Sequence, residues 1–288
     1  GEKSRRNPMG CTFWLARTYN DLFTAAAEHQ LIKIQRASPQ HLMWYVTPPD
    51  PAVLAPDLDK LFRGEVEVAF FRSGWNDPNA TFLAVKAGHN EVNHAHLDLG
   101  NFVLDAMGLR WAKDLGSDDY NLPGYFNKNT GQRWTYYRLN SESHNIPLIN
   151  GKSQDPAGRS RIARFRTDNP VPFAVVDLSE AYGNARGTIS RGVALVNNRQ
   201  DVLIQDEFDL EVPRFITWGM TTDAAIEILP DGEALLTLED KHLRAKILSP
   251  QGWKFGIGPA EQPAPQKTNK GTQRLVVRPV YETANLRL

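Results

Sequence analysis

The 288 residues carry 33 Lys plus Arg against 33 Asp plus Glu, so no net charge draws the chain to nucleic acid and any anionic partner has to be held by a local group of cations. Apolar residues make up 41%, with no run approaching the ~18 that a membrane span needs, which reads as a globular protein without a membrane partner. The single cysteine, Cys11, excludes an internal disulfide framework and a thiolate metal cluster, leaving histidine and carboxylate as metal ligands. The chain opens Gly-Glu-Lys-Ser-Arg-Arg, without Met or an apolar leader, and reads as a piece of a longer protein.

From Cys11 to about Ile34 apolar residues recur at three- and four-residue spacing (Phe13, Ala16, Tyr19, Leu22, Phe23, Ala26), which predicts one amphipathic helix with Asn7-Pro8 at its start. Three prolines within Trp44 to Pro51 remove backbone donors and mark a linker, and a further short helix is expected near Leu54 to Phe62. After Gly64 the character changes to short β-branched and aromatic runs between Gly, Asn, Asp and Pro signals. They lie at Val66 to Phe71, Thr81 to Val85, Phe102 to Leu104, Phe173 to Val176, Val193 to Val196 and Val202 to Ile204. Others follow at Phe215 to Trp218, Ile226 to Leu229, Leu235 to Leu238, Leu243 to Leu248 and Leu275 to Val277. So many short strands predict a large antiparallel β-sandwich over 64–288, with 1–63 a helical segment and linker, and Pro259 to Gly271 a polar loop.

Four of the seven histidines, His89, His94, His96 and His144, fall between positions 89 and 144. If Asn93 to Asp98 is extended, the two-residue period places His94, His96 and Asp98 on one face, where imidazoles and a carboxylate can share a cation; hydrogen-bonded polar residues at a strand end would look the same. Between Asp114 and His144 runs Tyr120 to Tyr137, dense in Tyr, Asn, Gly, Arg and Trp. That composition suits sugar recognition, because aromatic faces stack on sugar rings and Arg forks grip carboxylates or sulfates, and it also suits an ordinary long connection.

The ordered set Phe71-Arg72-Ser73-Gly74-Trp75, His94-Ala95-His96-Leu97-Asp98, Lys113-Asp114-Leu115-Gly116 and Ser143-His144-Asn145 resembles the heparinase II/III-like polysaccharide lyase family. Val176-Asp177-Leu178-Ser179-Glu180-Ala181-Tyr182-Gly183, Ser190-Arg191 and Ile204-Gln205-Asp206-Glu207 extend the resemblance to the family's β domain. It implies that residues 1–63 are the last helices of an (α/α) toroid and that 64–288 form the C-terminal β-sandwich. It implies His94 facing the substrate as a catalytic residue, a divalent metal, usually zinc, on His96, Asp114 and His144, and a catalytic tyrosine, with Tyr125 preferred and Tyr137 next. Tyr137 and Arg133 are expected at the substrate, and Arg138 and Arg191 could also grip an acidic glycan. The implied reaction is β-elimination from a uronic-acid-containing polysaccharide met in the periplasm or outside the cell. The toroid supplies further catalytic groups in this family, so weak or no turnover is expected of this chain alone.

Three other readings compete. His-x-His-x-Asp opens a metallohydrolase motif, but that motif continues with His and here the next residue is Leu99. A non-catalytic carbohydrate-binding sandwich would keep the metal as architecture. A uronyl C5-epimerase would share the carbanion and reprotonate it.

Overall fold

The computed structural model describes residues 7–50, 56–75, 77–128, 130–167 and 170–288. The chain divides into two compact units, Glu2–Leu58 and Asp59–Leu288.

The smaller unit holds α1 (Cys11–Thr18), α2 (Leu22–Ile34) and α3 (Pro39–Met43). The single helix expected from Cys11 to Ile34 is therefore two. Asn20 takes a left-handed backbone at φ 52°, and the Asp21 carboxylate caps α2 by accepting from Thr24 N at 2.9 Å, so local capping wins over a continuous apolar period. Phe13 forms the centre, with the rings of His29, His41 and Tyr45 at 4.7, 5.4 and 6.1 Å. His41 Nε2 lies 2.9 Å from Glu28 Oε1, pairing the two buried polar side chains.

The larger unit is built of β1 (Lys60–Phe62), β2 (Val66–Arg72), β3 (Phe82–His89), β4 (Phe102–Ala106), β5 (Leu109–Ala112), β6 (Leu148–Ile149), β7 (Arg159–Arg166), β8 (Phe173–Asp177) and β9 (Gly187–Val196). It continues with β10 (Asp201–Arg214), β11 (Ile216–Thr222), β12 (Ala225–Ile228), β13 (Ala234–Leu238), β14 (Lys241–Ala245), β15 (Phe255–Pro259), β16 (Gln273–Val277) and β17 (Thr283–Arg287). The largest sheet runs β1-β2-β3-β7-β8-β9-β10-β17, with β4 also paired to β3 and carrying β5. A second sheet runs β15-β16-β11-β6, and a third β12-β13-β14. One core joins Phe71, Leu83, Ile162, Val176 and Val193 of the large sheet to Ile216, Met220, Leu275 and Leu236 of the smaller ones, which makes the unit a β-sandwich. Each such side chain taken from water contributes roughly 1.5–3 kcal/mol. On β8 the alternation is plain: Ala174 and Val176 are buried while Phe173, Val175 and Asp177 turn outward.

Several expectations change: β5, β6, β15 and β17 join the strands expected, and two further differences are instructive. Of the helix expected near Leu54 to Phe62, Leu54 and Ala55 lie outside the described residues, and Lys60–Phe62 is a strand paired with Val68–Phe70 of β2. Sheet pairing there overrides local helical preference. β7, which reads Arg-Ser-Arg-Ile-Ala-Arg-Phe-Arg, was not expected as a strand at all. Its register slips by one residue between Ile162 and Arg164, a bulge that interrupts the alternation by which strands are recognised.

Candidate functional site

The loop between β3 and β4 carries His94 and His96. It is not extended: His94 has φ 57° and Gly100 φ 85°, so the backbone turns through the segment and the single face expected for His94, His96 and Asp98 does not form. Asp98 instead accepts from Lys86 Nζ at 2.6 Å. The turn is held from both sides. Leu97 N donates to Leu139 O at 3.0 Å, Ser141 Oγ donates to Leu97 O at 2.7 Å, and the Gln154 amide exchanges two hydrogen bonds with the Leu99 backbone. These bonds tie the His96 loop to the short helical turn Ser141–Ser143 that immediately precedes His144.

Asp114 follows β5 by two residues, in a stretch fixed by Lys113 N donating to Thr221 O at 2.9 Å. Its Oδ2 lies 2.9 Å from His144 Nδ1 and accepts from Asn101 Nδ2 at 2.8 Å; its Oδ1 accepts from Gly116 N at 2.7 Å. One ligand atom from each of His96, Asp114 and His144 lies within 4.8 Å of the others, so residues 18 and 48 positions apart are gathered at one point. Burial, reinforced by the charge of His144, lowers His96 to about 4 and leaves its imidazole neutral near pH 7. Burial alone would raise the Asp114 carboxyl, but His144, through its charge and hydrogen bond, holds it well below the usual carboxylate range. His144 Nε2 is buried and has no hydrogen-bond partner among the described residues. Imidazole and carboxylate donors with a spare buried nitrogen fit a divalent cation such as zinc.

Behind these ligands lies a buried polar frame that the sequence reading did not assemble. Arg191, expected as a possible glycan contact, is fully buried. Its Nε and Nη2 donate to the two oxygens of Asp206, each at 2.7 Å, and its Nη1 donates to Gly100 O at 2.8 Å and to Asn145 O. Asn145 in turn accepts from Thr221 N at 2.6 Å and donates to Phe102 O at 2.7 Å. Arg274 donates to Thr221 Oγ1 at 2.7 Å and to His144 O at 3.1 Å. Asn101, Asn145, Arg191, Asp206, Thr221 and Arg274 thus fix the backbone on either side of the three candidate ligands. Arg191 and Asp206 each belong to a family-like motif, but nothing in one sequence says that they meet.

The Tyr120 to Tyr137 loop sorts into interior and surface. Tyr125 is 2% exposed and burial raises its hydroxyl pKa, with neighbouring Arg133 opposing the rise. Tyr137 is buried against Leu115 and Ala260, and burial raises it too, opposed by Arg274. Arg133 is also buried, donating to Tyr125 O and Ala95 O at 2.8 Å each, which fits fastening this loop to the His94 loop better than gripping a glycan. Arg138 likewise serves the backbone, donating to Leu115 O at 2.6 Å. The exposed tyrosine is Tyr120, whose ring stacks with that of His94 at 6.4 Å and covers Tyr125 at 4.9 Å. Composition placed a tyrosine here; it could not say which one reaches solvent beside His94. The segment after β15, read as a plain polar loop, closes over the same region. Gln266 Oε1 accepts from Tyr137 N, Asp118 Oδ1 from Lys267 N, and Asn269 Oδ1 from Arg138 Nε, at 2.8, 2.9 and 2.8 Å.

The fold, though not any particular residue of the site, is shared with solved structures. The chain is similar in structure to a heparinase III (BT4657 gene product), with 18% identity and TM-score 0.67, covering 96% of this chain and 40% of that one. It is similar to a mutant of the heparan sulfate lyase HepC from Pedobacter heparinus, with 16% identity and TM-score 0.66, covering 99% and 41%. A further heparinase III gives 15% identity and TM-score 0.63 over 81% and 36%. The chain thus spans about two fifths of the length of these proteins, and at such identities the likeness shows the fold. No curated protein matches it. Residues 67–263, well over half of the chain, match the model of the heparinase II/III-like C-terminal domain, and the chain belongs to that family.

Proposed function

We propose that this chain is the β-sandwich part of a polysaccharide lyase that cleaves a uronic-acid-containing glycan by β-elimination. The observation that carries the reading is the gathering of His96, Asp114 and His144 beside an exposed, stacked His94 and Tyr120, in a chain of this family. In the reaction a base removes the C5 proton, the electron pair forms the C4=C5 double bond, and the C4–O bond breaks with protonation of the leaving oxygen. Charge that builds on the uronate carboxylate meanwhile needs a donor. His94, exposed and held in a fixed turn, faces the substrate as that donor or as the base. Tyr120 stands beside it as a proton carrier and as a ring on which a sugar stacks. Tyr125 and Tyr137, both buried with raised hydroxyl pKa values, shape the loop.

His96, Asp114 and His144 would hold zinc. When bound, the ion supplies a fixed positive charge that keeps three loops of the cleft wall together. Further catalytic groups come from a helical toroid of which α1 to α3 are the last turns, so this chain alone turns over weakly. No helix among the described residues is long and apolar enough to cross a membrane. A periplasmic or secreted location follows from where such polymers are met.

Metal analysis tests the site. Wild-type protein supplied with zinc is expected to hold about one ion per chain, and His96→Ala or Asp114→Ala to lose it. A wild-type protein that takes up no zinc would end the metal assignment. In the enzyme complete with its toroid, Tyr120→Phe is expected to lower kcat by about 100-fold or more if the phenol carries a proton, while Tyr125→Phe changes it only a few-fold. Equal losses from both would remove Tyr120 from its role.

A further inference from the structure

Arg159, Arg161, Arg164 and Arg166 sit on β7 at steps of two, three and two residues. In a regular strand the three-residue step would turn Arg164 and Arg166 to the face of Ile162, which is the core, and would push Phe165 out. The bulge prevents this. Arg161 pairs with Asp177, Ile162 with Val176, Arg164 with Val175, Phe165 with Ala174 and Arg166 with Phe173. Phe165 therefore packs inward on Phe71 at 5.5 Å, and all four guanidinium groups emerge on the outer face within about 20 Å.

β7 pairs with β8 along most of its length but with β3 only at Arg159 and Ser160, so guarding an open strand edge is an ordinary role for Arg161, Arg164 and Arg166, one that gives no dependence of binding on glycan length. Arg159 touches Glu91 at 3.3 Å and Arg161 touches Asp177 at 3.9 Å, both in the open, while no carboxylate among the described residues pairs with Arg164 or Arg166. The neighbouring strand keeps the surface low, since Val175 is followed by Gly192, with Ser190 and Ala194 beside it. The row is also continuous with the β3–β4 loop that carries His94. Glu91, the partner of Arg159, lies three residues before His94, and its carbonyl and that of Val92 accept from Lys128 Nζ at 3.3 and 3.0 Å.

We propose that Lys128, Arg159, Arg161, Arg164 and Arg166 form a track that holds an extended polyanionic glycan as it leaves the His94 loop along the outer face of the large sheet. The proposal rests on the reading of the substrate as an acidic polysaccharide. In a chain of zero net charge the bulge concentrates cations on one narrow line, and guanidinium forks match sulfate or carboxylate groups repeated along a polymer. Length dependence is the signature, since a short oligosaccharide cannot occupy the cleft and the far end of β7 together.

The test is calorimetric titration of this chain with long heparan sulfate and with a heparan sulfate tetrasaccharide. The triple variant Arg161→Gln, Arg164→Gln, Arg166→Gln is expected to bind the long chain about tenfold more weakly, and the tetrasaccharide within about twofold of wild type. The corresponding triple Lys variant, which keeps the charge, should stay within about threefold on the long chain and shows that the strand still folds. Long-chain affinity unchanged in the Gln variant overturns the track. So does arginine-dependent binding to phosphatidylserine vesicles with none to heparan sulfate, which would make the partner a membrane surface. Binding and elimination are read separately, so arginine-dependent, length-dependent binding of heparan sulfate without unsaturated product from the enzyme complete with its toroid would sink the lyase reading and leave the track standing.

Discussion

Replacing Arg191 by Met is expected to destabilise the larger unit by about 3–5 kcal/mol, because it leaves Asp206 ionised and buried without its partner. Two carbonyls, Gly100 O and Asn145 O, lose a charged donor in the same step. At roughly 2–4 °C per kcal/mol for a unit of this size, the melting temperature of metal-free protein should fall by roughly 10 °C. Replacing both partners, Arg191→Met with Asp206→Leu, should recover a large part of the loss, since the main cost is the orphaned charge rather than the absent pair. A single variant melting within about 2 °C of wild type would mean that water or another group reaches Asp206, and the frame behind the ligands would be far less dry than its geometry implies. Zinc affinity is the second readout. Arg191 grips Asn145, the residue after His144, so if zinc binds as proposed the variant should hold it about tenfold or more weakly, although none of the three candidate ligands has been touched.

His94→Ala in the enzyme complete with its toroid is expected to lower kcat by about 10²–10⁴-fold, the range for loss of a positioned acid, base or charge-neutralising donor. The side chain is exposed and its ring stacks on the likewise exposed Tyr120, so the melting temperature and any bound zinc should stay close to wild type. Formation of the unsaturated uronate product, followed by its ultraviolet absorbance, reads the rate directly. If the Ala variant eliminates at the wild-type rate, His94 leaves the mechanism and Tyr120 becomes the group to follow. If product vanishes but solvent deuterium enters C5, proton abstraction survives without it, and the role of His94 lies in expelling the C4 oxygen.

The sandwich could be read from the chain because its strands are short, β-branched and bounded by turn residues, as at Val66 to Phe71 or Phe173 to Val176. β7 could not, because its arginines obey a period broken by the bulge, and β1 could not, because three residues acquire strand character only from β2. The candidate ligands His96, Asp114 and His144 came from the order of family-like motifs, not from local pattern, and they do lie together. The local pattern misled at Asp98, where periodicity suggested a third ligand and a lysine on β3 claimed the carboxylate. Choosing among Tyr120, Tyr125 and Tyr137 was beyond the sequence for a different reason. Which ring is covered depends on how the loop folds over itself and on the distant Gln266 to Asn269 segment.

The left-handed backbone at His94 bears on how this position would drift if only foldedness mattered. A residue with a Cβ held at φ 57° costs about 1 kcal/mol relative to glycine, although histidine and asparagine tolerate the region better than most. With the imidazole exposed rather than buried in the core, a lineage selected for stability alone would be expected to settle on Gly or Asn here. A histidine at this position is therefore a small standing sacrifice of robustness, of the kind that active sites accept in return for a side chain aimed where the backbone would not otherwise send it.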